Sequence, residues 1–214
     1  MNISIILYIV QGAEVTLKLF TVTLLFSVPI GFLLAIGKVA GGKLLRALLS
    51  FYTWVVRGTP LMLQIIFIFY GLPVILGFSW GGDRMLAASI AFIINYAAYF
   101  TEIFRAGILS VDKGQFEAAK ALGMSYPQTM WRIVIPQAIK RSLPPTGNEF
   151  ITLIKDTALV IVIALPDVLR NTREIVSREV STEAFFVAAA IYLILTYGIV
   201  LFFKFAEKKL DYYD

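Results

Sequence analysis

Residues 111–136 read VDKGQFEAAKALGMSYPQTMWRIVIP, a polar island in an otherwise apolar chain. The first half has the grammar of a short helix. Asp112 is placed to accept from first-turn amides, with Gln115 three residues on at capping-box spacing. Glu117 to Leu122 are mostly strong helix formers. Gly123 stands where a helix end wants a residue that tolerates positive φ. Ser125-Tyr126-Pro127-Gln128 then restarts the pattern with a cap, a first-turn proline and a glutamine at the third position. The stretch therefore reads as helix, glycine elbow, helix. Its alanines give a low-relief face suited to a groove on a soluble partner.

The rest of the chain sets the surroundings of this island. Its 214 residues are 59% hydrophobic and 15% charged, with mean hydropathy +0.81. A soluble domain cannot hide that much apolar surface, so the expected class is an all-α, polytopic membrane bundle forming a single domain over 1–214 within the lipid bilayer. Cysteine and histidine are both missing from the sequence. Disulfides, thiolate chemistry, imidazole bases and most zinc sites go with them, and neither a metal site nor a nucleic-acid partner is expected. The opening MNISIILYIVQG has no basic n-region, so a removable signal peptide is not expected.

Within the island, Glu117-Ala118-Ala119, Gly123 and Ile133-Val134-Ile135-Pro136 resemble the EAA motif of ABC importer permeases, E-A-A-x3-G-x9-I-x-L-P, with Ile135 in place of the usual Leu. The resemblance implies that the loop of about 107–136 is a coupling helix docking into a separate ATPase, with Glu117, Ala118, Ala119 and Gly123 carrying the coupling. Arg57-Gly58-Thr59-Pro60, the run Asn95–Gly107 and Lys155-Asp156-Thr157 further resemble the polar amino acid branch of that family. It implies two ATPase copies holding ATP and magnesium, a second permease chain (identical in a homodimer, or related), an extracytoplasmic amino-acid-binding protein, and a prokaryotic cell membrane. It implies no cofactor in this chain and no catalysis by it.

Four uncharged stretches are long enough to cross a bilayer: Leu19–Gly37, Gly58–Gly82, Met85–Thr101 and Ala184–Phe203. Ser142–Pro166, which carries Glu149, Lys155 and Asp156, is counted as a fifth, entered through a Pro144-Pro145 pair that is not expected to be regular helix throughout. With five spans and the N-terminus outside, thirteen basic residues fall inside against five outside, with Lys155 in the membrane. That bias favours N-out, C-in and places the polar island in the cytoplasm. Asp167–Glu183 reads as an amphipathic helix at the outer surface. Gly37–Leu44 reads G-x4-G-K-L, but Leu44 stands where a P-loop needs a hydroxyl, and the run follows a membrane helix rather than a strand. If ATP is used, another chain binds it.

Ionisable groups within spans cost a few kcal/mol each unless they face a cavity or a partner. Asn95, Tyr99 and Glu102 share one helix face, as do Glu149, Thr152 and Asp156, with Lys155 adjacent. These residues and Glu14 are the candidate substrate path. Two readings stay open: Glu102 and Arg105 are spaced to pair structurally, and so are Glu14 and Lys18. The functional expectation is a permease subunit for polar amino acids working by alternating access. Glu14, Glu102 and Asp156 tilt the substrate toward a cationic one (arginine, lysine or histidine), with glutamine as the alternative. A second expectation is an ion-coupled secondary transporter working without an ATPase, although no duplicated halves are visible.

Overall fold

Small residues decide how the long helices meet. The computed structural model describes residues 2–210, so Met1 and the tail Asp211–Asp214, parts of the domain read over 1–214, lie outside the described residues. α1 (Ile3–Ala40) runs unbroken through Pro29 and packs along α5 (Arg84–Leu109). At their crossing a Cβ on Gly31 would stand 2.5 Å from the Phe100 Cβ, so the residue has to be glycine. Ala87, Ala88, Ala91, Ala97 and Ala98 are buried on α5, around a core of Phe92, Tyr96 and Phe100 with Leu19, Ile65 and Leu153. In lipid there is no hydrophobic drive between helices, and this close approach of backbones supplies dispersion contacts instead.

α2 (Lys43–Arg57) ends at Gly58, and the chain turns by 99° into the segment Leu61–Leu76. That segment comprises α3 (Leu61–Ile66), a π-turn at Phe67–Gly71 and α4 (Leu72–Leu76). The polar segment follows α5 as α6 (Lys113–Ala121) and α7 (Tyr126–Thr129), and a second π-turn at Met130–Val134 leads into α8 (Ile135–Asp156). Both π-turns end two residues before a proline, Pro73 and Pro136. A proline offers no N–H to the carbonyl four residues back, and a wider turn re-pairs the backbone just ahead of it.

A 3₁₀ stretch at Thr157–Ile163 ends α8, followed by α9 (Val168–Glu179) and α10 (Glu183–Leu210). Asp167 caps α9 by accepting from Leu169 and Arg170 amides, and Val168, Asn171, Thr172 and Ile175 form its buried face. Gly12 of α1 abuts the Asp167–Val168 backbone, and Tyr8 donates to Glu174. The Tyr8 hydroxyl and the Arg170 guanidinium together hold the Glu174 carboxyl below the ordinary range.

Two expectations change. Pro144 and Pro145 do not interrupt α8, which starts at Ile135 and carries both in its interior. It packs against both α5 and α10, and neighbouring helices let a helix in a membrane bundle tolerate interior prolines. The first helix begins at Ile3, well before Leu19, because Glu14 and Lys18 sit exposed on its surface instead of marking its end. Among the described residues three helices are long and apolar enough to span a membrane, and the bent α2–α4 segment makes a fourth.

Candidate functional site

The corner between α2 and α3 builds the site. The Val56 carbonyl would normally accept from the amide of residue 60, which is Pro60. Gln64 supplies the missing donor, its Nε2 lying 2.8 Å from the Val56 oxygen and 2.8 Å from Thr59 Oγ1. The Gln64 Oε1 accepts from Asn95 Nδ2 at 3.0 Å, which fastens the corner to α5. Arg57, the last residue of α2, lies with its guanidinium carbon 5.2 Å from the centre of the Tyr99 ring. A cation over an aromatic face contributes roughly 0.5–2 kcal/mol.

Opposite this corner, α8 presents Glu149, Thr152 and Asp156. Together with Arg57, Asn95 and Tyr99 they line a cavity of about 460 Å³. The Asp156 carboxylate accepts from the Tyr96 hydroxyl at 2.8 Å, and the buried Tyr96 ring stacks on Phe92, so the hydroxyl is held in place. A second cavity, of about 740 Å³, is lined by Glu102, Arg105 and Arg141 among others, and shares Arg57, Tyr99 and Glu149 with the first. Those three residues form the boundary between the two spaces. The grouping of one guanidinium with two carboxylates is suited to binding charge. Among the described residues no three His, Cys, Asp or Glu side chains cluster to hold a metal ion.

Five of the residues read as a substrate path from the sequence thus share one cavity: Asn95, Tyr99, Glu149, Thr152 and Asp156. Glu102 sits on the wall of the second, where it pairs with Lys38 of α1 and with Arg105 at 2.8 Å. Lys38 also donates to Thr53 of α2 at 2.9 Å, so Glu102 is the centre of a clasp joining three helices. Glu14 and Lys155 are exposed and line neither cavity. Arg57 is the residue that sequence reading missed. Its charge was counted toward topology, while the signal for its inward turn was the Gly-Thr-Pro break behind it.

The polar segment after α5 carries its caps. Asp112 accepts from the Gly114 amide at 2.7 Å. The reciprocal bond from Gln115 does not form, because its Oε1 accepts from Gln137 of α8 instead. The end of α6 is a Schellman turn: Gly123 has φ +73°, its amide bonds Lys120 O, and the Met124 amide bonds Ala119 O. Ser125 and Gln128 form a full capping box at α7. Glu117, Ala118 and Gly123 are exposed, whereas Ala119 is 1% exposed and faces the protein's own core. The outward face also carries Leu122 at 80% exposure, Tyr126 and Trp131.

Residues 27–212 match the family of binding-protein-dependent transport system inner membrane components. A putative glutamine transport system permease protein of Rickettsia felis is 41% identical over 207 residues, 96% of this chain and 94% of that one. An arginine transport system permease protein of Bacillus subtilis is 39% identical over 208 residues, 97% of this chain and 94% of that one. The crystal structure of an amino acid ABC transporter with histidines superposes with a TM-score of 0.86 at 36% identity, covering 94% of each chain.

Proposed function

The chain belongs to the family of binding-protein-dependent transport system inner membrane components, and from that premise we propose that it forms the membrane path of an ATP-driven importer for cationic amino acids. The observation that carries the substrate class is the charge of the 460 Å³ cavity, where Arg57 stands among Glu149 and Asp156. A cationic amino acid brings one carboxylate and two positive groups, the complement of one guanidinium and two carboxylates. Arg57 takes the substrate carboxylate, the acids take the ammonium and the side-chain cation, and Asn95 and Thr152 supply neutral hydrogen bonds. Glutamine would leave one acid without a partner in a low-dielectric site, a costly arrangement.

In this reading the chain spans the membrane five times, N-terminus out and C-terminus in, with α8 and its 3₁₀ extension as the polar fourth span and α9 at the outer surface. It pairs with a second permease chain, identical or related, in a prokaryotic cell membrane. Each permease carries one ATPase, which binds ATP and magnesium, and an external binding protein delivers the substrate. Glu117, Ala118, Ala119 and Gly123 shape the piece that the ATPase grips. Closure of the ATPases moves that piece, and the bundle alternates between outward and inward access. Linkage requires the two states to differ in affinity for nucleotide or substrate.

The test is uptake of labelled amino acids into proteoliposomes holding this chain, its ATPase and the binding protein. ATP-dependent uptake that competes with arginine or lysine is the expected result. ATP-dependent uptake of glutamine alone removes the cationic assignment. Uptake driven by an ion gradient without the ATPase overturns the importer.

A further inference from the structure

The larger of the two cavities differs in charge from the one that carries the substrate assignment. α5 and α8 run along both spaces, each with one stripe lining them. On α5 the stripe is Asn95, Tyr99, Glu102, Ala106 and the C-cap Ser110; on α8 it is Arg141, Pro145, Glu149, Thr152 and Asp156. Steps of three or four residues keep each set on one helix face. A Cβ on Gly107 would overlap the Ser142 hydroxyl at one end, and Tyr96 reaches Asp156 at the other, so the two helices are antiparallel. The 460 Å³ cavity takes the end with Asn95 and Asp156. The 740 Å³ cavity takes the end with Ser110 and Arg141, next to the polar segment that opens at Asp112.

Arg57, Arg105 and Arg141 line this larger space, against the carboxylates of Glu102 and Glu149. Glu102 is already shared between Lys38 and Arg105. Arg105 gives it Nε, and Arg141 gives one terminal nitrogen to the Ser110 carbonyl. Among the described residues Arg141 has no carboxylate partner, and both guanidiniums keep terminal nitrogens without an acceptor. A guanidinium fork matches a carboxylate through two parallel N–H bonds. Sites for small molecules usually measure about 300–1,000 Å³, and this cavity falls within that range.

We propose that the 740 Å³ cavity is a second binding site for the transported amino acid, holding its α-carboxylate at Arg105 and Arg141. The occupant follows from continuity. Arg57, Tyr99 and Glu149 belong to both cavities, so a ligand that leaves the first toward the polar segment enters the second. On that path its carboxylate exchanges Arg57 for Arg105 and Arg141. Glu149, on the shared boundary, is the acid left for the ammonium, because Glu102 is committed to the clasp. The proposal rests on the importer reading of the first cavity. It does not rest on a cationic substrate, since every α-amino acid brings the carboxylate.

The complex of this chain with its second permease and its ATPase, in nanodiscs without nucleotide, is dialysed to equilibrium against labelled arginine and, separately, labelled glutamine. Two sites per permease chain are expected, the second at least tenfold weaker than the first. Arg141→Gln removes the weaker site and leaves the tighter one within twofold, whereas Arg141→Lys retains the weaker site at severalfold lower affinity. Agmatine, which is arginine without its carboxylate, does not fill the weaker site of the parent, and this comparison needs no variant. Phosphate at equal concentration does not displace arginine from it. Arg141 is exposed, and an unchanged ligand-free Tm for Arg141→Gln verifies that the fold is intact. A weaker site that survives Arg141→Gln in folded protein, or that accepts agmatine, overturns the proposal. Displacement by phosphate overturns the amino acid as its occupant. Glutamine in both sites with arginine in neither removes the cationic substrate and supports the second site. A single arginine site that Arg141→Gln leaves unchanged overturns the second site and keeps the first.

Discussion

Asp156 is held by a tyrosine hydroxyl on one side and open to the cavity on the other, and the two contacts predict different mutant behaviour. Asp156→Asn keeps the shape and an acceptor for Tyr96 while removing the charge. Stimulation of ATP turnover by arginine should weaken on the order of tenfold to a hundredfold, the value of one charge-assisted contact of about 1.5–3 kcal/mol, while basal turnover stays near that of the parent. Equal loss of both would make Asp156 a purely structural partner of Tyr96. At this scale the sequence identified the acids and amides because ionisable groups in a span have few uses. It did not identify Arg57, whose role depends on a 99° change of direction that brings it over Tyr99. Nor did it reveal that Lys38, far from Glu102 in the chain, would claim that carboxylate.

Among elements, the corner at Gly58–Pro60 and the polar segment proposed to meet the ATPase make separate predictions. Gln64→Leu leaves the Val56 carbonyl and the Asn95 amide without their partner. The expected cost is about 1–3 kcal/mol per unsatisfied group, read as a lower Tm in detergent. Ala118→Arg changes an exposed position of α6 and should leave that Tm unchanged while abolishing co-purification of the ATPase; intact coupled transport in this variant would sink the docking role. Caps such as Gly123 and Ser125 were legible because a helix end is written in adjacent residues. The continuity of α8 through Pro144-Pro145 was not, because the helices it packs against, α5 and α10, are remote in sequence.

At the scale of the whole molecule, α5 is the hub, with 61% of its most apolar window buried, whereas α10 has 6% and turns its apolar residues outward. Such a face is suited to lipid or to another permease chain. The native sequence holds no cysteine, so single reporters give a clean topology test. Leu122→Cys should react with an impermeant thiol reagent only from the cytoplasmic side, and Glu179→Cys only from outside; the reverse pattern would invert the assigned orientation. The helical class was readable from composition, whereas the reach of α1 was not, since exposed charges on a long helix look like its end. That reach has a mechanical meaning. At 1.5 Å per residue α1 is about 57 Å long. It is seated against the start of α9 at Gly12, against α5 at Gly31, and clasped to Glu102 at Lys38. Held at these three points, α1 joins the start of α9 at one end to the clasp at the other through a single helix, with no loop between them.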